Sequence, residues 1–406
     1  MAFKFFMLAG EASGDAHAAR LIEALKAVEP TARFVGMGGP KMAAAGLEVA
    51  KDLEGMQVLG IWEVVKNYGF FRDVFYKLLD RVKQEKPDAL ICVDYPGFNL
   101  RFAKEVKKLG IPVLYYIVPQ VWAWKAMRAK SMAGFVDRAY CVFEFERAFF
   151  EKFGLKTEFV GHPLVDHEAE ADCGLKLPPG PKTVAFLPGS RKGEVAAHVY
   201  PMSLAFGSSN GNRRSLMSFP RGTSQYLVTS AHVEMAAGRA TREHFNSSRV
   251  DIRGVLTSPS VLITSPTDEE MDLRVLQKSH STALPALADF SVVKSGTSTL
   301  EAGLAGNPMC SVYKANRFNF AIANLLVNIP VMSLVNIVLG RYAIPELIQE
   351  DVTPARIAAE IERGLNDEKY REQQKAALAE LPGKLGGPGC SARAAKSMID
   401  FLKGRS

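Results

Sequence analysis

Phe5-Phe6-Met7-Leu8-Ala9-Gly10-Glu11-Ala12-Ser13-Gly14-Asp15 opens the chain with a short apolar run, a small-residue turn, and then Ala18, Leu21, Ile22 and Leu25 at helical spacing. This reads as strand, glycine turn, helix. The same unit restarts at Thr183-Val184-Ala185-Phe186-Leu187-Pro188-Gly189-Ser190-Arg191, directly after the Pro- and Gly-rich linker Leu177 to Pro181. Around the first copy, Phe34 to Met37, Ala89 to Val93, Val113 to Ile117, Ala139 to Phe143 and Phe159 to Val160 are further apolar runs separated by helical or loop segments. Around the second, Phe290 to Val293 leads into Ser295-Gly296-Thr297-Ser298-Thr299-Leu300-Glu301. Such alternation predicts parallel sheets with crossover helices. The expected fold is α/β, two Rossmann-like parallel-sheet halves joined near residue 180, with the ligand in a central cleft between them.

Bulk properties narrow the class. The chain has 406 residues, 48% hydrophobic and 23% charged, which excludes disorder and fibre. Its 50 basic and 43 acidic residues give a net charge of +7, suited to a phosphorylated substrate, a nucleic acid or a membrane surface. The 5 cysteines (Cys92, Cys141, Cys173, Cys310, Cys390) form no C-x-x-C pair and no cluster with histidine, so neither a disulfide framework nor a zinc site is indicated. A reducing cytoplasm is the expected compartment. Met1-Ala2-Phe3-Lys4 runs straight into a strand without a leader pattern, and secretion is not expected. Ala323 to Gly340 is the most apolar stretch, but Asn324, Asn328, Pro330, Ser333 and Asn336 interrupt it too often for a spanning helix.

Several turns carry candidate chemistry. Ser295 to Glu301 places small residues at a strand-to-helix junction, where exposed amides and the positive helix end attract phosphate. Glu301 lies where it would accept from ribose hydroxyls; Ser298 and Glu301 also have capping-box spacing, so Glu301 is equally read as a cap of its own helix. Gly189, Ser190 and Arg191 with Glu194 supply a second glycine turn and a guanidinium able to grip phosphate, against the plainer reading of an Arg191–Glu194 surface pair. Asp94 ends the run Ala89 to Val93, where α/β folds place ligands, and is either a base or a loop-ordering carboxylate. Glu11, Asp15 and His162 occupy comparable turns, and His162 before Pro163 reads first as a loop-ordering residue. Trp122 and Trp124 alternate with Lys125, Arg128 and Lys130, a pattern able to stack on nucleic acid or hold a sugar phosphate beside lipid. From Tyr68 to Val82, Phe71, Val74, Phe75, Leu78, Leu79 and Val82 form one apolar stripe, while Tyr68, Phe70 and Tyr76 add aromatic surface beyond it. That helix is either a core element or an interfacial one.

Taken together, Ala9 to Asp15, Gly36-Met37-Gly38-Gly39, Val121 to Trp124, Val160-Gly161-His162-Pro163-Leu164, Gly189-Ser190-Arg191, Ser295 to Glu301 and Pro345-Glu346-Leu347-Ile348-Gln349 resemble, in order, the motifs of the lipid-A-disaccharide synthase family of inverting GT-B glycosyltransferases. The likeness covers residues 1 to about 200 and about 271 to 400. It implies condensation of UDP-2,3-diacylglucosamine with 2,3-diacylglucosamine 1-phosphate through a β-1,6 bond, with release of UDP and with no metal or cofactor. By the same resemblance Asp94 is the base toward the acceptor's 6-hydroxyl and Arg191 stabilises the departing diphosphate. Gly189, Ser190, Glu194, Ser295, Gly296, Thr297, Glu301, Asn336 and Gln349 line the UDP side. Gly10, Glu11, Ser13, Gly14, Asp15, Trp122, Trp124, Arg128 and His162 serve the acceptor and its loops. Acylated substrates imply work at the cytoplasmic face of the inner membrane, with Tyr68, Phe70, Phe71, Val74, Phe75 and Leu78 as lipid contacts. The implied domains are 1–177, 178–350, and C-terminal helices in 351–406 that cross back to the first domain; a homodimer is a candidate assembly. Other UDP-sugar transferases of this fold, a non-catalytic nucleotide-sugar binder and a nucleic-acid binder are the competing classes, the last lacking any recognisable nucleic-acid motif.

Residues 203–270 depart from this pattern. Their cations are all arginine (Arg213, Arg214, Arg221, Arg239, Arg242, Arg249, Arg253), and about one residue in six is serine. Ser208 to Asn212 is predicted to break the required helix early, with apolar periodicity returning only at Leu256 to Ile263. The expectation is irregular structure, arising either from a pair of compensating reading-frame changes or from a divergent insertion; translation of the gene in the other frames separates the two.

Overall fold

The computed structural model describes residues 3–54, 56, 68–123, 127–167, 177, 179–208, 213–219, 223, 260–264, 283–315 and 331–405. The chain divides into two compact units, Met1–Asp166 with Leu385–Ser406, and His167–Lys384. The boundary read from sequence at 177/178 therefore falls at 166/167. Of the segment 351–406, only the part from Leu385 packs with the first unit.

In the first unit, strands β1 (Lys4–Ala9), β2 (Arg33–Met37), β3 (Leu47–Lys51), β4 (Ala89–Val93), β5 (Val113–Tyr116), β6 (Arg138–Cys141) and β7 (Thr157–Phe159) form one sheet in the order β3-β2-β1-β4-β5-β6-β7. Every pairing is parallel. A parallel strand is covered on both faces, which explains why Phe5 to Ala9 is a continuous apolar run rather than an alternating one. Phe6 and Leu8 join the core beneath α3 (Tyr68–Glu85) and α4 (Pro96–Lys107). Phe5, Met7 and Ala9 pack on the other face against α1 (Ala12–Val28) and the C-terminal helix Cys390–Lys403. That last helix contributes Ala394, Ala395, Met398, Ile399 and Leu402 to this core. Helix α2 (Pro40–Ala45) follows β2, α5 (Met127–Ala133) follows β5, and α6 (Glu144–Glu151) follows β6.

The second unit holds β8 (Lys182–Leu187), β9 (Arg213–Phe219), β10 (Ser260–Thr264), β11 (Phe290–Lys294), β12 (Met309–Tyr313) and β13 (Glu346–Ile348), in the order β10-β9-β8-β11-β12-β13. Its described helices include α7 (Lys192–Ser208), α8 (Thr297–Leu304), α9 (Leu334–Leu339), α10 (Pro354–Asn366) and α11 (Glu368–Leu378); the C-terminal helix Cys390–Lys403 is α12. The sheet is parallel except at its edge, where β10 runs antiparallel to β9.

The irregularity expected for 203–270 does not hold for the parts described. Helix α7 buries Val195, Val199, Met202, Ala205 and Phe206 and ends at Ser208, the first residue of the stretch expected to end it, so 203–208 are regular helix. Apolar structure returns at β9, well before Leu256, with Leu216, Met217 and Phe219 buried and Arg213 paired to Glu362 at 2.7 Å. Residues 209–212, 220–222, 224–259 and 265–270 lie outside the described residues.

Candidate active site

Both sheets change winding direction at one place, between β1 and β4 in the first unit and between β8 and β11 in the second. At such a switch point the loops after neighbouring strands diverge and leave room for a ligand at the strands' carboxyl ends. All four loops there are ones singled out from sequence: Gly10 to Ser13, Asp94 to Gly97, Gly189 to Arg191, and Ser295–Gly296.

After β4 the backbone turns through Asp94 and Tyr95, both left-handed at φ +45° and +48°. The Tyr95 ring lies over Gly10, where a Cβ would stand 2.1 Å from it, so only glycine fits. Desolvation pushes the Asp94 carboxyl up to about 6, the Glu11 carboxylate raises it further, and the Tyr95 amide partly opposes them. The Asp94 carbonyl accepts from Tyr115 Oη at 2.7 Å and from Asn99 Nδ2 at 2.8 Å. Glu11 and Ser13 are exposed at the start of α1, and Gly14 is buried beside β1. Asp15, by contrast, is committed: its carboxylate accepts from the amides of Gly39, Lys41 and Met42 at 2.8, 3.1 and 3.0 Å and so holds α2 by its N-terminus.

Two more first-unit residues serve the loops. His162 is buried, accepts the Leu164 amide at Nδ1 (3.1 Å) and rests against Phe143, the loop-ordering role. Trp122 donates from Nε1 to Glu146 at 2.8 Å and meets Phe145 edge-on. Burial pushes Glu146 up to about 7 even though Trp122 and the amides of Phe143 and Val142 bond to it. Arg128 is half-buried on α5, near enough for its charge to act on Tyr115. Trp124 lies outside the described residues.

In the second unit Gly189 (φ +124°) lies against Glu194, where a Cβ would stand 2.7 Å from its side chain. Glu194 accepts from the amides of Ser190 and Arg191 at 3.2 and 3.4 Å and from Lys294 Nζ at 2.8 Å; its approach to Arg191 is longer, 3.8 Å. Burial pushes this carboxyl up, but the Lys294 and Arg191 charges and these hydrogen bonds bring it below its ordinary value. Glu194 therefore orders the turn and leaves the Arg191 guanidinium 63% exposed. His198 continues the brace, its Nδ1 within 2.7 Å of the Glu194 carbonyl and its Nε2 accepting the Lys314 amide at 2.9 Å.

Gly296 starts α8 with no side-chain cap, so the first-turn amides have no side-chain acceptor. The capping box expected from Ser298 and Glu301 does not form. Glu301 instead buries Oε2 without a partner among the described residues, and burial alone pushes its carboxyl up to about 7. Ser295 is held by its amide to Val312 (2.8 Å) and by its hydroxyl to Met332 (2.8 Å). Asn336 is fully used: it donates to the Ile344 carbonyl and Glu346, and accepts from the amides of Ala343 and Ile344. Gln349 is latched at both ends to Ala315. Both side chains are thus spent on the loops around them.

The aromatic stripe on α3 is divided. Val74 and Leu78 are buried in the first core, and Phe75 packs on Phe98 and Phe102 at 5.7 and 5.3 Å, because they lie on the face that meets α4. The expectation that these three touch lipid is thus overturned for Val74 and Leu78, and Phe75 is engaged in the core. Phe71 also packs on that core, while Phe70 (40%) and Tyr76 (58%) are exposed. The Tyr68 side chain lies outside the described residues.

Sequence reasoning missed Asn99, Tyr115, Glu146, Lys294, His198 and Glu346. Lys294 was detectable as the last residue of a strand leading into a singled-out turn; the others meet their partners from distant or unremarkable positions. Among the described residues no metal-binding cluster occurs and no helix is long and apolar enough to cross a membrane.

A family model described as lipid-A-disaccharide synthetase matches residues 5–209 and 243–395. The chain is 37% identical over 407 residues to lipid-A-disaccharide synthase of Anaeromyxobacter dehalogenans strain 2CP-1, covering 98% of each chain. It is 36% identical over 405 residues to that of Geobacter sulfurreducens, covering 98% of this chain and 97% of the other. Among solved structures, the calicheamicin glycosyltransferase CalG4 aligns with TM-score 0.56 at 15% identity over 100% of this chain and 99% of the other. A UDP-GlcNAc 2-epimerase from Neisseria meningitidis bound to UDP-GlcNAc aligns with TM-score 0.56 at 12% identity over 100% of both. At these identities the structures speak to fold alone, and the fold is GT-B.

Proposed function

The chain belongs to the lipid-A-disaccharide synthase family, and from that premise we propose that it is an inverting glycosyltransferase joining UDP-2,3-diacylglucosamine to 2,3-diacylglucosamine 1-phosphate by a β-1,6 bond. The observation that carries this reading is the match to its relatives along 98% of the chain. Asp94 takes the proton of the acceptor's 6-hydroxyl, the oxygen bonds the anomeric carbon from the face opposite the nucleotide, and the bond to UDP breaks. A base whose pKa stands near 6 is largely ionised at neutral pH yet basic enough to accept that proton.

Negative charge then builds on the departing diphosphate. The exposed Arg191 guanidinium and the uncapped amides of Gly296 and Thr297 are the groups suited to receive it. The ribose falls to Glu301, whose buried oxygen lacks a donor that a hydroxyl would supply. With the Ser190 and Arg191 amides held by Glu194, the phosphate contacts of that turn pass to the Arg191 side chain.

The substrates are acylated, and the exposed Phe70 and Tyr76, with Lys51, Arg72 and Lys77 nearby in sequence or space, support docking at the cytoplasmic face of an anionic inner membrane. Phe70→Ser and Tyr76→Ser together should weaken co-sedimentation with anionic liposomes severalfold with the melting temperature kept; unchanged co-sedimentation rejects the docking role. For the reaction itself, purified protein should release UDP only when both diacylglucosamine substrates are present. No release from this pair, with release from another sugar pair, rejects the substrate assignment.

A further inference from the structure

Asp94 and Tyr95 are consecutive side-chain-bearing residues in the left-handed region, a conformation that persists only where its surroundings enforce it. What enforces it is visible. The Asp94 amide donates to the Tyr116 carbonyl at 3.1 Å. Its carbonyl accepts from Tyr115 Oη at 2.7 Å and Asn99 Nδ2 at 2.8 Å, one donor for each oxygen lone pair. Asn99 is wholly buried in α4, and its amide group also lies 3.3 Å from the Val93 carbonyl and 3.4 Å from the Leu8 carbonyl. The phenol of Tyr115 stands on β5 in the core, where burial keeps its proton on and makes it a permanent donor. The backbone of Asp94 is thus bonded on both sides, by donors from a strand and a helix that the site otherwise does not use, while its carboxylate is left to the site.

We propose that Tyr115 and Asn99 are positioning residues: a two-donor clamp on the Asp94 carbonyl that holds the strained turn and so fixes where the carboxylate meets the acceptor hydroxyl. The inference rests on Asp94 being the base. Neither residue needs to touch substrate; each acts through Asp94. Loss of one donor lets the turn relax toward ordinary backbone, and a displacement of the order of 1 Å at a reacting group is enough to slow a proton transfer substantially.

The test is a double-mutant cycle with full-length protein, the two diacylglucosamine substrates and a UDP-binding assay. Tyr115→Phe removes one hydroxyl and should lower kcat about tenfold, leaving KM for the UDP-sugar and affinity for UDP within twofold. In the Asp94→Asn background the same change should cost nothing further, since no base remains to be positioned. Asn99→Ser is the second variant, expected to follow the same pattern should Tyr115→Phe fold poorly. Wild-type kcat in both folded variants overturns the clamp. So does an equal loss of kcat in the wild-type and Asp94→Asn backgrounds, because a merely structural role is blind to the base. Undiminished turnover in Asp94→Asn alone removes the base assignment and the clamp together, and is distinguished from failure of the clamp because it appears in the single variant.

Discussion

Asp94 in the first unit and Glu194 in the second stand beside the switch points of their sheets, yet their carboxyls titrate in opposite directions. Asp94 is desolvated, has an acidic neighbour, Glu11, and is pushed up to about 6. Glu194 has Lys294 at 2.8 Å and Arg191 close by, and is held below its ordinary value despite burial. Two carboxylates beside switch points, one after the second strand of its pair and one after the first, are thus driven in opposite directions, and the opposition comes from the side chains around each. The upward shift suits a group that must change protonation in each cycle. The downward shift suits a brace that must not.

The largest effect expected from this contrast is in Asp94→Asn. It should lower turnover by roughly 10² or more with UDP affinity unchanged. A carboxyl raised above its unfolded value lowers stability above the folded pKa and loses that cost as pH falls from about 6 toward 3.8. The variant should therefore melt a few degrees higher than wild type at pH 8, with the gap closing in acid. Loss of activity together with loss of stability would break the comparison.

Next in size is Glu301→Gln. A ribose contact predicts about a tenfold rise in KM for the UDP-sugar with little change in kcat, read by steady-state kinetics. If Glu301 is only a buried orphan, stability rises and KM stays. Lys294→Met should then remove the brace from Glu194, with a loss of about 1–3 kcal/mol in denaturant unfolding at pH 7. Because Glu194 is held below its ordinary value, that loss should be present above the ordinary carboxylate range and fade as pH falls and the carboxyl protonates. A constant loss across pH would mean that Lys294 acts by packing alone.

The smallest effect sharpens the comparison most. In wild type kcat/KM should fall below about pH 6 as Asp94 protonates. Glu11→Gln should move that acidic limb to lower pH, since one of the two influences raising Asp94 is removed while desolvation remains. A limb that does not move, in a protein of normal turnover, would leave desolvation as the sole cause.

The strand–turn–helix units were legible because buried parallel strands are written as uninterrupted apolar runs and glycine turns punctuate them. Strand β3 was not, since Glu48, Val49 and Ala50 face solvent at the sheet edge and leave no such run. The antiparallel direction of β10 is equally absent from composition, because a strand reads the same in either direction. Asp94, Arg191 and Glu301 were singled out from their places at strand ends and turns, but what surrounds them was not legible: Lys294 meets Glu194, and Tyr115 and Asn99 meet Asp94, only after the sheets assemble. Asn336 and Gln349 show the converse. The resemblance places both on the UDP side, yet their hydrogen bonds are spent on Ile344, Ala343, Glu346 and Ala315. In the stretch 203–270 the helix end near Ser208 was legible, but β9 was not, because its buried Leu216, Met217 and Phe219 are interspersed with arginine and serine.

Helix α12 lies against α1 and fills one face of the first sheet, although 218 residues of the other unit, His167–Lys384, separate it from the rest of its own. On the ribosome this imposes an order. The first unit emerges early but keeps Phe5, Met7, Leu21 and Leu25 without their cover until translation has passed Leu402, whereas everything the second unit requires is present as soon as Lys384 is out. The unit made first is thus the one completed last, and in the interval one apolar face of its sheet stays uncovered.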